Sequence, residues 1–288
     1  MTEIGFAKKE TKEELKALWL RCFDDIPEAV DLFLNTWFAP DACVQATEDG
    51  RVVSALFLLP ARIQGDGRMD QAHYIYGAGT LPEYRGRGFM GKLLRFADGA
   101  AARFRGDRYS FLLPENPGLY EFYRGAGYRE GFYTRMVQVD RSELISLARQ
   151  GKYEALSLDE PDWELRQKYY SKQVGSVQWG RDVVEYASAI NRMYQGRKIS
   201  GPWGYVLYRG SETAEVLEWM PRQEDAYLLW ELLKSCGARR FCFRLPAESG
   251  FLQGKGEMIR FGMIKSLSNE PKMETIGVQF PYLGLTLD

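Results

Sequence analysis

Apolar residues fall along this chain in two different periods, and the switches between them mark out its elements. A short run at 4–7 predicts an opening strand. Leu15, Leu18, Trp19 and Cys22 follow at helical spacing, with Thr11 and Glu14 placed as a capping box ahead of them. A second helix is predicted to start near Pro27 and to turn Val30, Phe33, Leu34 and Trp37 inward. Strands are predicted over 43–47 and 52–63, joined by Glu48-Asp49-Gly50 as a hairpin turn. A second turn, Gln64-Gly65-Asp66-Gly67, leads into a strand ending near residue 80. Met90, Leu93, Leu94, Ala97, Ala100, Ala101 and Phe104 then form the apolar stripe of a helix. A strand over 109–113, a helix and a strand to about Asp140 complete the first half. From Arg141 the pattern restarts: a helix to Ala148, helices at 163–171 and 182–193, strands at 203–208 and 214–219, a helix at 227–233 and a strand at 240–244. This alternation predicts mixed-sheet α/β architecture in two domains, 1–140 and 141–288.

The junction between the central strand of the first half and its long helix reads Thr80-Leu-Pro-Glu-Tyr-Arg-Gly-Arg-Gly-Phe-Met-Gly-Lys92. Gly86 and Gly88 lack Cβ, so the backbone can bend and converge several N–H groups on one point. The first N–H groups of a helix have no internal partner and its dipole favours negative charge, a combination suited to phosphate. Arg85 and Arg87 add charge-assisted donors. Gly86, Gly88 and Gly91 match the dinucleotide spacing G-x-G-x-x-G, but no acidic residue ends a second strand about 20 residues on. A nucleotide-triphosphate P-loop is excluded, because no Gly-Lys-Ser/Thr follows.

Arg85-Gly86-Arg87-Gly88-Phe89-Met90 resembles the acetyl-CoA loop of the GNAT family of N-acetyltransferases, Gln/Arg-x-x-Gly-x-Gly/Ala. It departs only at the sixth position, where Met90 precedes Gly91. Downstream, Asn116-Pro-Gly-Leu-Tyr-Glu-Phe-Tyr-Arg-Gly-Ala-Gly-Tyr128 is similar to a second family element, with Leu119 in place of Ala. The resemblance implies a GNAT fold in the first domain, with Arg85, Gly86, Arg87, Gly88, Phe89, Met90 and Gly91 at the CoA diphosphate. It also implies that Asn116 bonds the pantetheine arm and that Tyr123 protonates the leaving thiolate. A tyrosine hydroxyl, with an ordinary pKa near 10, is a competent proton donor at neutral pH. A backbone N–H near Ala78, Gly79 or Thr80 would meet the developing oxyanion, and glycines at 77 and 79 would weaken strand pairing so that a cofactor can add at the edge.

The second half resembles an abbreviated unit of the same kind, with an unrelated α+β domain as the alternative; Met220-Pro-Arg-Gln-Glu224 contains no glycine to converge amides, so this half reads as structural or substrate-shaping. The tandem arrangement is distantly similar to mycothiol synthase and to the enhanced-intracellular-survival acetyltransferases. Similarity to the latter implies a catalytic role for the C-terminal carboxylate, here Asp288, although the alternative for 282–288 is a terminal strand. Glu115 is placed for a general base, with a surface or capping role as its alternative; His73, the only histidine, reads as structural. Tyr120 and Phe122 read as core aromatics, as do most of Trp163, Trp179, Trp203, Trp219 and Trp230.

Composition narrows the picture further. A net charge of −1 argues against an extended nucleic-acid or membrane surface. Four cysteines without close pairing, and one histidine, leave no metal site; together with the lack of a leader they point to a reducing cytoplasm. The expectation is an N-acetyltransferase that uses acetyl-CoA as co-substrate and moves the acetyl group to a small-molecule amine in a ternary complex, with both halves bounding the acceptor site. A non-catalytic acyl-CoA sensor is the alternative from another class. An aminoacyl-tRNA-dependent peptidyltransferase fits less well, because no basic excess exists.

Overall fold

The computed structural model describes residues 1–150, 162–222, 225–267 and 280–287. The chain forms two compact units. The first gathers Met1–Ile63, Arg68–Glu130 and Gly262–Ile276; the second gathers Gln64–Gly67, Gly131–Phe261 and Gly277–Asp288.

The first unit contains β1 (Thr2–Phe6), α1 (Lys12–Cys22), α2 (Pro27–Trp37), β2 (Cys43–Glu48), β3 (Arg51–Gln64), β4 (Met69–Thr80), α3 (Phe89–Ala100), β5 (Tyr109–Leu112), α4 (Pro117–Gly125) and β6 (Arg129–Glu130). The second contains β7 (Tyr133–Asp140), α5 (Arg141–Ala148), α6 (Asp162–Tyr170), β8 (Val177–Gln178), α7 (Arg181–Met193), β9 (Arg197–Gly201), β10 (Gly204–Arg209), β11 (Thr213–Pro221), α8 (Asp225–Ser235), β12 (Arg240–Leu245) and β13 (Glu257–Arg260). A last strand, β14 (Met263–Ser266), belongs to the first unit.

The first sheet has the order β1-β2-β3-β4-β5-β14-β6. Its β4–β5 pair is parallel, and β14 runs antiparallel to both β5 and β6. The turn between β2 and β3 puts Asp49 and Gly50 at φ 50° and 83°, the two positive values a tight hairpin requires. One face of the sheet buries Leu93, Leu94 and Ala97 of α3 with Ile75, Leu112 and Tyr128. The second sheet has the order β13-β7-β12-β11-β10-β9, again with one parallel pair, β11–β12. Its core joins Val137, Leu144, Val216, Leu229, Leu232, Phe241 and Phe243. A buried ion pair, Arg166 with Glu218 at 2.8 Å, sits beside Tyr170 and Tyr205 in this unit.

Several details differ from the sequence expectation. The strand over 133–140, expected to end the first domain's order, pairs with β12 and β13 in the second sheet. The place beside β5 is filled by β14. Alternation of apolar residues specifies a strand's faces but carries no information about a distant partner, so this exchange had no local signal. Thr11 makes no capping bond: its hydroxyl bonds Lys8 and Gln45, and Glu14 accepts from the Val52 N–H. Phe104, assigned to the α3 stripe, is 71% exposed. Residues Ala101–Arg105 form a π-helical turn, whose wider register rotates Phe104 off the buried face. The 281–287 segment is buried but forms no strand.

Candidate functional site

In the first unit, β4 and β5 pair in register from Ala72↔Tyr109 to Tyr74↔Phe111 and no further. β4 continues from Ile75 to Thr80 without β5 beside it, so the two parallel strands splay. A bulge at Gly77 coincides with the opening. Tyr76 meets Trp19 and Phe33, while Ile75 lies in the opposite core against α3. Regular alternation would put Gly77 with Ile75. Instead a Cβ on Gly77 would lie 2.4 Å from the Trp19 ring, a Cβ on Gly79 would lie 3.1 Å from Cys22, and Ala78 packs on the α3 side. The left-handed φ of 57° at Gly77 therefore advances the pleat by one residue. Close approach of Trp19 on α1, together with the left-handed φ, requires glycine at 77, and Cys22 crowds a Cβ at 79, a packing reason the sequence reading lacked.

The end of β4 is fixed from β3 and from the loop. Ser54 Oγ donates to the Gly79 carbonyl at 3.0 Å and lies 2.7 Å from Thr80 Oγ1, while the Leu81 N–H donates to the Val53 carbonyl. Arg85 Nε donates to the Thr80 carbonyl at 3.1 Å. Pro82–Tyr84 make one 3-10 turn, held on α1 by the bidentate Arg21–Glu83 pair at 2.9 and 3.1 Å.

The loop then turns through Gly86 at φ 76° and Gly88 at φ 75°, and Gly88 is the N-cap of α3. Space around both missing Cβ positions is open, so backbone conformation rather than crowding requires glycine. The Lys92 N–H reaches back to the Gly88 carbonyl. That leaves the N–H groups of Phe89, Met90 and Gly91 outside the helix ladder. No side chain caps this end and its first turn holds no acidic residue. Phe89 is buried and Met90 packs on the same core, anchoring the helix start, whereas Gly91 has ordinary room for a side chain. Arg87 is exposed, paired with Glu48 at 2.9 Å and stacked on Tyr84 at 5.0 Å. The protein's own acceptors thus hold both loop arginines at the mouth of the turn.

Asn116 is exposed and caps α4: its Oδ1 accepts from the Leu119 N–H at 3.3 Å, which leaves its amide hydrogens outside that bond. Tyr123 is buried in the core that contains Phe89, with Ala78 and Met90 packed against it, so the structure brings β4, α3 and α4 residues of the expected site into one cluster. Among the described residues its hydroxyl has no hydrogen-bond partner. Burial, with a smaller contribution from the Glu115 charge, pushes the Tyr123 phenol up to about 12. Glu115 itself is exposed, immediately before the α4 cap. Phe122, expected in the core, is 42% exposed. His73 is fully buried, with Nδ1 2.8 Å from Asp107, which fits a structural role. Asp288 lies outside the described residues. All four cysteines are free. Among the described residues no group of His, Cys, Asp and Glu could hold a metal, and no helix is long and apolar enough to cross a membrane.

One part of this neighbourhood escaped the sequence reading. Asp98 lies within the apolar stripe of α3, buried to 7% exposure, and is met by Lys265 of β14 at 2.8 Å. A carboxylate on a buried helical face was the available signal.

Comparison with known proteins agrees with this architecture. Residues 3–131 match the family model described as an acetyltransferase (GNAT) domain. Among solved structures, the chain is similar to a GCN5-related N-acetyltransferase from Anabaena variabilis, with 15% identity and a TM-score of 0.72 over 93% of this chain and 73% of that one. A GCN5-related N-acetyltransferase from Kribbella flavida gives 18% identity and 0.66 over 93% and 72%. Eis1 from Mycobacterium abscessus gives 14% and 0.66 over 93% and 74%. No curated protein matches. Residues 3–131 therefore carry a GNAT-type acetyltransferase domain.

Proposed function

We propose that the protein is an acetyl-CoA-dependent N-acetyltransferase whose first unit holds the co-substrate and whose second unit is structural or substrate-shaping. The observation that carries this reading is the coincidence of the β4–β5 splay with a helix start free of any side-chain cap. The opening offers a strand edge, at Ala78 to Thr80, to an amide-bearing chain such as pantetheine. The uncapped N–H groups of Phe89, Met90 and Gly91, flanked by Arg85 and Arg87, suit a diphosphate. Asn116 has amide hydrogens to offer the arm between them.

Acetyl-CoA supplies an activated acyl carbon. Transfer forms a bond between the amine nitrogen and that carbon and breaks the carbon–sulfur bond. The amine loses a proton and the departing thiolate takes one. Tyr123 is protonated throughout the neutral range, so it acts as donor to sulfur and not as base. A backbone N–H of the splayed strand carries the developing negative charge on oxygen without reorganising. The acceptor is a small-molecule amine in this reading, and attack is direct.

Thermal unfolding with and without acetyl-CoA, followed by thiol release across a library of amines, tests the proposal. Stabilisation by the thioester with amine-dependent thiol release supports it. Stabilisation without release from any amine supports a non-catalytic acyl-CoA sensor, and no stabilisation by acetyl-CoA or CoA overturns both.

A further inference from the structure

β14 is inserted between β5 and β6, and its register sets Lys265 opposite Ser110. Lys265 is the point where four pieces of the first unit meet. Its ammonium lies 2.8 Å from a carboxylate oxygen of Asp98 on α3 and donates to the Ala126 carbonyl, just past the end of α4, at 2.8 Å. It also lies 5.5 Å from the centre of the Tyr128 ring. Gly127, at φ 92°, wraps around this side chain: a Cβ there would fall 3.2 Å from Lys265 Cε. Tyr128 is fully buried, and its hydroxyl is shared with Ser110 Oγ at 2.6 Å and Asp98 at 3.3 Å.

Tyr128 in turn contacts Tyr123 twice. The rings meet edge to face at 5.9 Å, and the Tyr128 N–H donates to the Tyr123 carbonyl at 3.0 Å. Removing the Lys265 ammonium would leave the buried Asp98 carboxylate without that counter-charge, so it would have to protonate or move. The ammonium pairs by charge with Asp98, donates to the carbonyl at the end of α4 and sits over the face of Tyr128, so one cation ties α3, the end of α4 and the ring beside Tyr123 together.

We propose that Lys265 is a positioning residue for Tyr123: through Asp98, Ala126 and Tyr128 it fixes the orientation of the phenol, so the completeness of the transfer site depends on the inserted strand. This rests on the reading of Tyr123 as the proton donor to sulfur. The placement of Tyr123 by Lys265, however, is measurable without any acceptor or any turnover.

The test uses the full chain with 3-fluorotyrosine at position 123 and, as an internal control, at Tyr208 in the second unit, observed by fluorine NMR. Wild type is expected to give one Tyr123 resonance. In Lys265→Met that resonance is expected to broaden, or to move by more than its linewidth, while the Tyr208 signal stays in place. Lys265→Arg, which keeps the charge and the donors, is expected to restore it. Should Lys265→Met not fold, the paired variant Asp98→Asn/Lys265→Met removes both charges and is expected to show the same displacement. An unchanged Tyr123 resonance in either folded variant overturns the proposal, as does an equal change at Tyr208. Titration of the same samples with CoA separates the two ideas. Affinity is expected to stay within about threefold of wild type; if CoA binds none of them, the cofactor reading fails while the placement of Tyr123 by Lys265 is still decided by the spectra.

Discussion

The two units repeat one device with opposite outcomes. In the first, β4 and β5 run parallel and separate after Tyr74↔Phe111; in the second, β11 and β12 run parallel and separate after Val216↔Phe243. Both longer strands continue past the last pair and lead to a helix. At α3 the helix start is Gly88 in a left-handed conformation, with no acidic residue in the first turn. At α8 the helix opens on Asp225, whose carboxylate accepts from Trp219 Nε1 at 2.8 Å. Trp219 stacks on Phe251 at 4.8 Å and meets Phe243 edge-on at 5.4 Å. In the second unit the end of the longer strand is therefore filled by aromatic packing, and a carboxylate occupies the positive end of the helix. The same parallel-strand topology thus leads to an open left-handed helix start without acidic residues in one unit and to an aromatic-filled strand end with an acidic first turn in the other.

That contrast can be broken by mutation, beginning with the largest effect. Tyr123→Phe should lower turnover about 100-fold, the size expected for loss of a proton donor, with acetyl-CoA affinity nearly unchanged. Trp219→Phe, which keeps an aromatic ring but removes the Nε1–H bond to Asp225, probes the second unit and should leave turnover within about twofold. Steady-state thiol release with the best amine from the library reads both. Gly88→Val forces a β-branched residue into the left-handed region and should weaken acetyl-CoA binding at least about 30-fold, because holding the loop conformation then costs roughly 2 kcal/mol. Arg87→Ala should weaken binding about fivefold, with a steeper dependence on salt for wild type than for the variant.

The smallest effect is on stability against pH. Tyr123 ionises in the unfolded chain near 10 but only at about 12 when folded, so its burial contributes stability that is present below pH 10 and is lost as pH rises toward 12. Tyr123→Phe should flatten that decline, measured by urea unfolding between pH 9 and 11.

Much of this was legible in the residues. Gly86 and Gly88 in front of an amphipathic stripe give the turn and the helix start together, because left-handed backbone and helical periodicity are both local properties. Asn116 and Tyr123 stand out through resemblance to a family element; that one caps α4 and the other is buried on the same short helix is a structural finding. What escaped the reading depends on distant contacts. Gly77 and Gly79 read as weak strand positions, whereas the ring of Trp19 excludes a Cβ at 77 and the side chain of Cys22 crowds one at 79. The strand over 133–140 shows its pleat but not its partner, and β14 shows no sign in sequence that it pairs with β5, about 150 residues earlier. Asp98 was the exception, since a charged residue in an apolar stripe announces a hidden partner even when it does not identify Lys265.

Calorimetric titration of the full chain with acetyl-CoA tests the central claim most directly. The account predicts one site per chain in wild type, retained in Trp219→Ala and lost or strongly weakened in Gly88→Val. No binding in wild type, or binding that survives Gly88→Val and disappears with Trp219→Ala, would contradict it.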